Sequence, residues 1–265
     1  MDEIKAIKFL HRDRCFAMEM RKALNLKLGS YLRLQLGWRK DLPEKERKRI
    51  AAEAAALMAA DEPDRFESMI TPSRMASEIF EDRERIIEKQ MAKLAKQLPV
   101  WEAFGKEVRG FGEVSLAVIV AEAGDLSEYE SESKLWKRMG LAPGQNRVAP
   151  GLSREDRAEA WITRGYSPRR RSRMWNIGDA LIKGNRDGKY RTAYLARKAY
   201  ELAREPEMTP MYAHRRAQRY MEKRLLRDLW RAWRRTNASI IAQERKDDRK
   251  PALHDEPTVQ GGAYL

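Results

Sequence analysis

Val108-Arg109-Gly110-Phe111-Gly112-Glu113-Val114-Ser115-Leu116-Ala117-Val118-Ile119-Val120-Ala121-Glu122-Ala123-Gly124 decides the fold class of this 265-residue chain. Taken alone, Val114 to Val120 is β-branched enough to pass for a strand. The apolar run nevertheless continues through Ala121-Glu122-Ala123 to a glycine at 124, which gives it a helix's length and a helix's stop signal. It reads as a buried helix. The segments on either side read as helices too, so the expected class is all-α: a long helical hairpin or coiled coil, then a helix-hairpin-helix domain with basic helices.

Upstream, residues 4 to 98 are helical in pattern. Leu24, Leu28, Tyr31, Leu32 and Leu36 recur at spacings of three and four and mark one apolar face. Asp41-Leu42-Pro43-Glu44 reads as a new start, followed by an alanine-rich helix to about Ala60. Thr71-Pro72 predicts a further start, with a hydroxyl cap and proline at the first helical position. Met75, Ile79, Ile86, Met91 and Leu94 follow on a charged background. These helices suit an antiparallel hairpin within one chain or a coiled coil that forms a homodimer, and the heptads are not strict enough to choose. Residues 1–99 form the first expected unit.

Downstream, Ser131 or Ser133 caps a short helix over 134–139 that Gly140 ends, and 144–167 reads as a polar loop with a charged patch over 154–159. Residues 168–242 read as basic helices, broken at Gly184-Asn185-Arg186-Asp187-Gly188 and restarted at Thr209-Pro210. Residues 100–242 make the second expected unit. From Gln243 to Leu265 the chain is polar, with proline and glycine, and is expected to be disordered.

Charge is distributed unevenly. Of 54 Lys and Arg and 40 Asp and Glu, the stretch from Trp161 to Arg235 holds 21 and 7, so the remaining 33 of each sign cancel. So localised an excess is the footprint of a polyanionic partner, because each neutralised phosphate releases condensed counterions. Duplex or branched DNA is the expected partner, with structured RNA as the alternative. Cys15 is the single cysteine, and His11, His214 and His254 lie far apart, which argues against a Cys/His metal site. Neither a metal nor a cofactor is expected. No stretch reaches 18 apolar residues, and the amino terminus has no uninterrupted apolar core, so the expectation is a cytoplasmic, nucleoid-associated protein with no membrane partner.

Three features are expected to contact DNA. Arg109-Gly110-Phe111-Gly112 sits between helical segments, where Gly110 and Gly112 allow close approach and the next helix's amides point at a phosphate. The competing reading is an ordinary glycine turn. Ser167-Pro168-Arg169-Arg170-Arg171-Ser172-Arg173 opens a helix with Ser167 as cap, and its four arginines stand where anions are already favoured. Met211 to Arg235 carries an apolar stripe (Ala213, Ala217, Tyr220, Met221, Leu225, Leu229, Trp233), with Arg216, Arg219, Lys223 and Arg227 on other faces. Trp230 and Trp233 suit base stacking or, at that spacing, core packing. No catalytic residue is assigned. Asp13, Glu19, Asp82 and Glu88 fall on helices rather than on neighbouring strands, and Ser153, Ser167 and Ser172 read as caps or surface residues.

The run over 108–125, then Lys134-Leu135-Trp136 and Gly140-Leu141-Ala142-Pro143, resembles the carboxy-terminal domain of insertion-sequence transposases of the DEDD type, the one-hundred-and-ten group. The resemblance implies DNA binding in transposition and recombination. It covers roughly residues 20 to 235 and is specific only over 108–143. Family members carry an amino-terminal ribonuclease-H-like domain with four acidic ligands, for which the first 100 residues offer no counterpart. They also carry a serine-glycine pair after the Gly-Leu-x-Pro motif, the serine being the implied nucleophile. Here that stretch reads Gly144-Gln145-Asn146-Arg147-Val148-Ala149-Pro150-Gly151, with no serine before Ser153. The expected function is therefore a transposase-like DNA-binding protein of a mobile element. The alternatives are the separately encoded carboxy-terminal half of a split transposase, completed by an acidic nuclease partner, and an RNA-binding scaffold.

Overall fold

The computed structural model describes residues 3–184 and 187–247, with side chains as far as residue 240. Every regular element among the described residues is helical. The helices are α1 (Glu3–Gln35), α2 (Glu44–Ala59), α3 (Glu67–Gln97), α4 (Glu113–Ala123), α5 (Glu132–Arg138), α6 (Arg154–Thr163), α7 (Pro168–Gly184), α8 (Lys189–Arg204) and α9 (Pro210–Asp247). A π-helical turn, Trp101–Gly105, precedes α4, and a 3₁₀ turn, Leu126–Glu128, follows it.

Helix α4 stands at the centre. Leu116, Ala117, Ile119 and Val120 are wholly buried and Val118 nearly so, as an all-round apolar helix requires. Its C-cap is Gly124 at φ 89°, a conformation that favours glycine. Around it pack Ile7 of α1, Met91 of α3, Met174 and Leu181 of α7, and Met221, Leu225 and Leu229 of α9. This one cluster runs from Ile7 to Trp233 and so crosses residue 99. A second, smaller cluster of Leu28, Leu32, Ala54, Leu57 and Ile70 holds the far end of the first three helices together.

Helices α1 and α3 run antiparallel, tied by Arg83–Asp13, Arg14–Glu88, Arg21–Glu84 and a Ser77–Asn25 hydrogen bond. The buried face of α3 is Ile70, Ser77, Glu84, Ile87, Met91 and Ala95, whereas Met75, Ile79 and Ile86 stay more than half exposed. The start of α3 also differs from the sequence reading. Phe66, at φ 61°, ends the preceding turn, and its carbonyl accepts from Met69 and Ile70, so Pro72 lies inside the helix. The reason is tertiary: Ile70, ahead of Thr71-Pro72, is wholly buried against Leu28 and Leu32 of α1 and Ala54 and Leu57 of α2, while Arg74 donates to the carbonyls of Met58 and Ala60 and so caps the C-terminus of α2. Pro72, the sixth residue of α3, has no N–H to donate to the Ser68 carbonyl, so the helix forgoes one backbone bond there.

The expected loop over 144–167 contains α6, whose N-cap Ser153 accepts from the Asp156 N–H at 3.1 Å. No residue of α6 is buried, which is why apolar periodicity does not reveal it. Helix α9 starts where Thr209-Pro210 predicts, with Thr209 Oγ1 accepting from the Tyr212 N–H. Six of the seven residues of its apolar stripe are buried, and Tyr220, at the edge of the stripe, is exposed instead. It runs to Asp247, beyond the expected end at 242, and the rest of the expected tail, 248–265, lies outside the described residues.

Candidate nucleic-acid interface

The glycine turn before α4 is built for packing. Gly110 has φ 85°, and a Cβ there would stand 3.0 Å from the Ala180 carbonyl oxygen and 3.3 Å from Leu181 Cα. Gly184 reciprocates, its own Cβ position lying 3.1 Å from Gly110 Cα. Two glycines thus let the turn press on the end of α7. Gly112 is the N-cap of α4, at φ −81° with open space beside it. The α4 N-terminus already carries an anion. Glu113 accepts from its own backbone N–H and pairs with Lys96 at 3.1 Å, and the first of these contacts does most to hold its carboxyl below the usual range. Arg109 is exposed beside the turn.

The four arginines at the start of α7 are divided by helical geometry. At 3.6 residues per turn, Arg170 and Arg173 share one face with Arg169 at its edge, while Arg171 points to the other side. Arg170 reaches Glu122 Oε2 at 3.1 Å, and Arg173 pairs with Oε1 of the same carboxylate. Arg169, largely exposed, meets Glu19 of α1 at 3.0 Å. Arg171 lies 2.9 Å from Glu222 Oε2 of α9, a charge contact not aligned as a hydrogen bond, and 5.6 Å from the Trp175 ring centroid. Ser167 caps the helix, accepting from the Arg170 N–H at 3.3 Å.

On the first side, α1, α4 and α7 enclose a cleft of about 560 Å³. Lys8, Arg12, Arg138, Arg169, Arg170 and Arg173 line it, against two carboxylates, Glu19 and Glu122. Arg138 donates to the Glu122 carbonyl, and burial, followed by the neighbouring Arg170, pushes its guanidinium down from the usual range. Burial lowers Arg170 and Arg173 as well. Crowded, partly desolvated guanidiniums favour an anion entering the cleft.

Cys15 and His11 stand at its floor. Burial works to raise the Cys15 thiol, but His11, Arg173 and Arg14 together bring it below its ordinary value. His11 Nε2 contacts both Cys15 Sγ, at 3.6 Å, and Glu122 Oε1, at 3.1 Å, while Nδ1 is buried without a partner. Proton relay between a nucleophile and a carboxylate uses both ring nitrogens, so this arrangement is not that of a nucleophilic triad.

The remaining expected contacts lie along α9 and have partners of their own. Arg216 pairs with Glu201, which is wholly buried and also holds Arg197 and Arg204. Arg227 pairs with the adjacent Asp228. Lys223 lies 5.1 Å from the Trp136 ring centroid and is lowered by burial and then by Arg219. Trp230 and Trp233 are anchored in the core, donating to the Tyr129 carbonyl and to Asp125 Oδ1. Ser153 is hydrogen-bonded as a cap.

The structure therefore brings Ser167, Arg169, Arg170 and Arg173 into one cleft and leaves Arg109, Gly110, Gly112, Arg216, Lys223 and Arg227 outside it. Sequence reasoning did not reach Lys8, Arg12 and Arg138. The first two, with His11 and Cys15, do recur at helical spacing on α1, but nothing local says that this face meets α7. Among the described residues, no three His, Cys, Asp or Glu side chains gather as a metal-ligand set, and no helix is long and apolar enough to cross a membrane.

Residues 106–193, which are 88 of the 265 and run from the glycine turn into α8, match the family described as Transposase IS116/IS110/IS902. The matched stretch contains α4 to α7 and four of the six cations of the cleft, Arg138, Arg169, Arg170 and Arg173. No curated protein and no solved structure matches the chain.

Proposed function

Starting from a transposase-family domain over 106–193, we propose that the chain binds DNA of a mobile element, holding the phosphate backbone in the cleft between α1, α4 and α7. One observation carries this reading: six cations face two carboxylates in an open cleft at the amino-terminal end of α7. The cleft lies within the part of the chain that holds the whole net charge of +14, or against it. An unneutralised excess of that kind attracts phosphates over distances set by salt screening. Arg12 and Arg169, both exposed, supply charge that is not locked in the core, whereas Arg170 and Arg173 shape the cleft through Glu122. Such contacts hold a duplex without reading its sequence. The reading assigns binding to these residues and no cleavage step.

The experiment is fluorescence anisotropy of the full chain with duplex DNA, a four-way DNA junction and a structured RNA over a salt series. The expected result is binding to a DNA form whose log K falls steeply and linearly with log salt. Absence of binding at about 0.1 M salt, where non-specific DNA binders still register, would overturn the reading. Structured RNA bound more tightly than every DNA form at matched salt would overturn the DNA assignment.

A further inference from the structure

The second side of α7 carries a separate cleft of about 320 Å³, lined by Asn146, Tyr166, Pro168, Arg171, Ser172, Trp175, Arg215 and Arg219. Three guanidiniums line it and no carboxylate does. The one acid within reach is Glu222, wholly buried behind Arg171. Neither Arg215 nor Arg219 has a hydrogen-bond or ion-pair partner among the described residues, and Arg219 Nε is buried without one. Burial, and then the charge of Arg171, pushes Arg219 below the usual guanidinium range. Cations held together in a half-buried place without counter-charge are unfavourable unless an anion completes them.

The walls are fixed by contacts of the fold. Gln145 Nε2 donates to the carbonyls of Lys137 and Gly165, at 3.0 and 3.1 Å, and so fastens the loop that carries Asn146 to the ends of α5 and α6. Trp161 Nε1 donates to the Asn146 carbonyl at 3.2 Å. Gly140, at φ 75°, brings the chain against Tyr166 and Arg171, where a Cβ would stand 3.3 and 3.2 Å from their side chains.

We propose that this cleft is a site for the terminal phosphate of a nucleic-acid strand, a phosphomonoester, held by Arg171, Arg215 and Arg219. The charge arithmetic favours an end over an internal linkage. Three guanidiniums against the Glu222 carboxyl, which burial pushes up to about 7, leave between two and three positive charges, which match a monoester of about −1.5 to −2 at pH 7 better than a diester of −1. The proposal rests on the nucleic-acid reading above, yet its site is the opposite face of α7 from the first cleft.

The test uses one oligonucleotide sequence with a 5′-phosphate, with a 3′-phosphate, or with both ends hydroxyl. Each is bound to the full chain at matched salt, for the natural protein and for Arg215→Ala and Arg215→Lys. Arg215 is exposed and unpartnered, so its removal strands no buried acid. In parallel, a deoxynucleoside 5′-monophosphate and inorganic phosphate are tested directly by thermal shift. The expected result is about tenfold tighter binding of one phosphorylated end than of the hydroxyl-ended strand, the size of one charge-assisted contact. That ratio falls to near one in Arg215→Ala and is partly restored in Arg215→Lys. DNA bound without preference for a phosphorylated end overturns the proposal and leaves the DNA reading standing. A preference that survives Arg215→Ala also overturns it. Monophosphate that stabilises the natural protein but not Arg215→Ala, with no oligonucleotide bound, supports the site and sinks the DNA reading. No shift with monophosphate and no oligonucleotide binding overturn both.

Discussion

Gly178 of α7 faces Glu222 of α9 so closely that a Cβ on the glycine would stand 2.6 Å from the carboxylate Oε1 and 2.7 Å from Gln218 Nε2. The buried acid has room because residue 178 has no side chain. Gln218 in turn donates to Glu222 Oε1 at 3.1 Å and to the Trp175 carbonyl at 2.8 Å, so neither side chain can swing away without losing a buried partner.

Gly178→Ala is therefore expected to destabilise the chain by about 1–3 kcal/mol, the usual cost of overpacking a core. Urea unfolding checks it. A midpoint equal to that of the natural protein would show that Glu222 has an alternative place to go.

Burial pushes the Glu222 carboxyl up to about 7, outweighing the opposing pull of Arg171 and Gln218. Its folded value lies above its ordinary value of 4.5, so the folded state holds the proton more tightly. This contribution to stability is full below the unfolded value and is lost as pH rises through the window from 4.5 to about 7. Glu222→Gln should flatten the fall of unfolding free energy across that window. Parallel curves for the two proteins would show that Glu222 titrates normally.

Arg216 belongs to the expected DNA contacts, yet its guanidinium lies 3.0 Å from the fully buried Glu201. Arg216→Ala should cost about 1–2 kcal/mol of stability, since Arg197 and Arg204 remain to hold the acid. The salt slope of DNA binding should not change. A flatter slope at full stability would reverse the assignment and make Arg216 a phosphate ligand.

Arg12 and Arg169 give the opposite pattern. Both are exposed, and Arg169 meets only the largely exposed Glu19. The double replacement by alanine should leave the unfolding midpoint within about 0.5 kcal/mol and reduce the slope of log K against log salt by about 0.9 per lost phosphate contact. An unchanged slope would mean that this rim of the first cleft does not touch DNA.

Glu122→Gln removes the acid shared by His11, Arg170 and Arg173. The expected outcome is lower stability with tighter DNA binding at low salt, because the cleft gains a net positive charge. Weaker binding in a folded variant would show that Glu122 positions the arginines rather than competing for them.

How far each part was legible follows from how local its cause is. The central helix was readable from Val114 to Gly124, because an apolar run of that length with a glycine stop carries its own signal. The start and stripe of α9 were readable from Thr209-Pro210 and from seven residues at helical spacing, all but Tyr220 buried. Helix α6 was not, since a short exposed helix has no apolar face to show. The start of α3 differs from the sequence reading because Thr71-Pro72 imitates a cap, while the deciding contact, Ile70 buried against α1 and α2, is made across the turn between helices.

The basic block was legible as charge, but its division was not. Sequence alone determined that this chain is helical, that its net positive charge lies between Trp161 and Arg235, and that α7 opens with Ser167, Pro168 and four arginines. Each of these depends on neighbours within a few residues. Tertiary structure alone decided which arginines are committed to Glu122 and Glu222, which face Lys8 and Arg12 across one cleft, and which meet Arg215 and Arg219 across another. The physical reason is that a guanidinium's role is set by the nearest carboxylate in space. For Arg170, Arg171 and Arg173 that acid lies on a different helix, about 50 residues away in either direction.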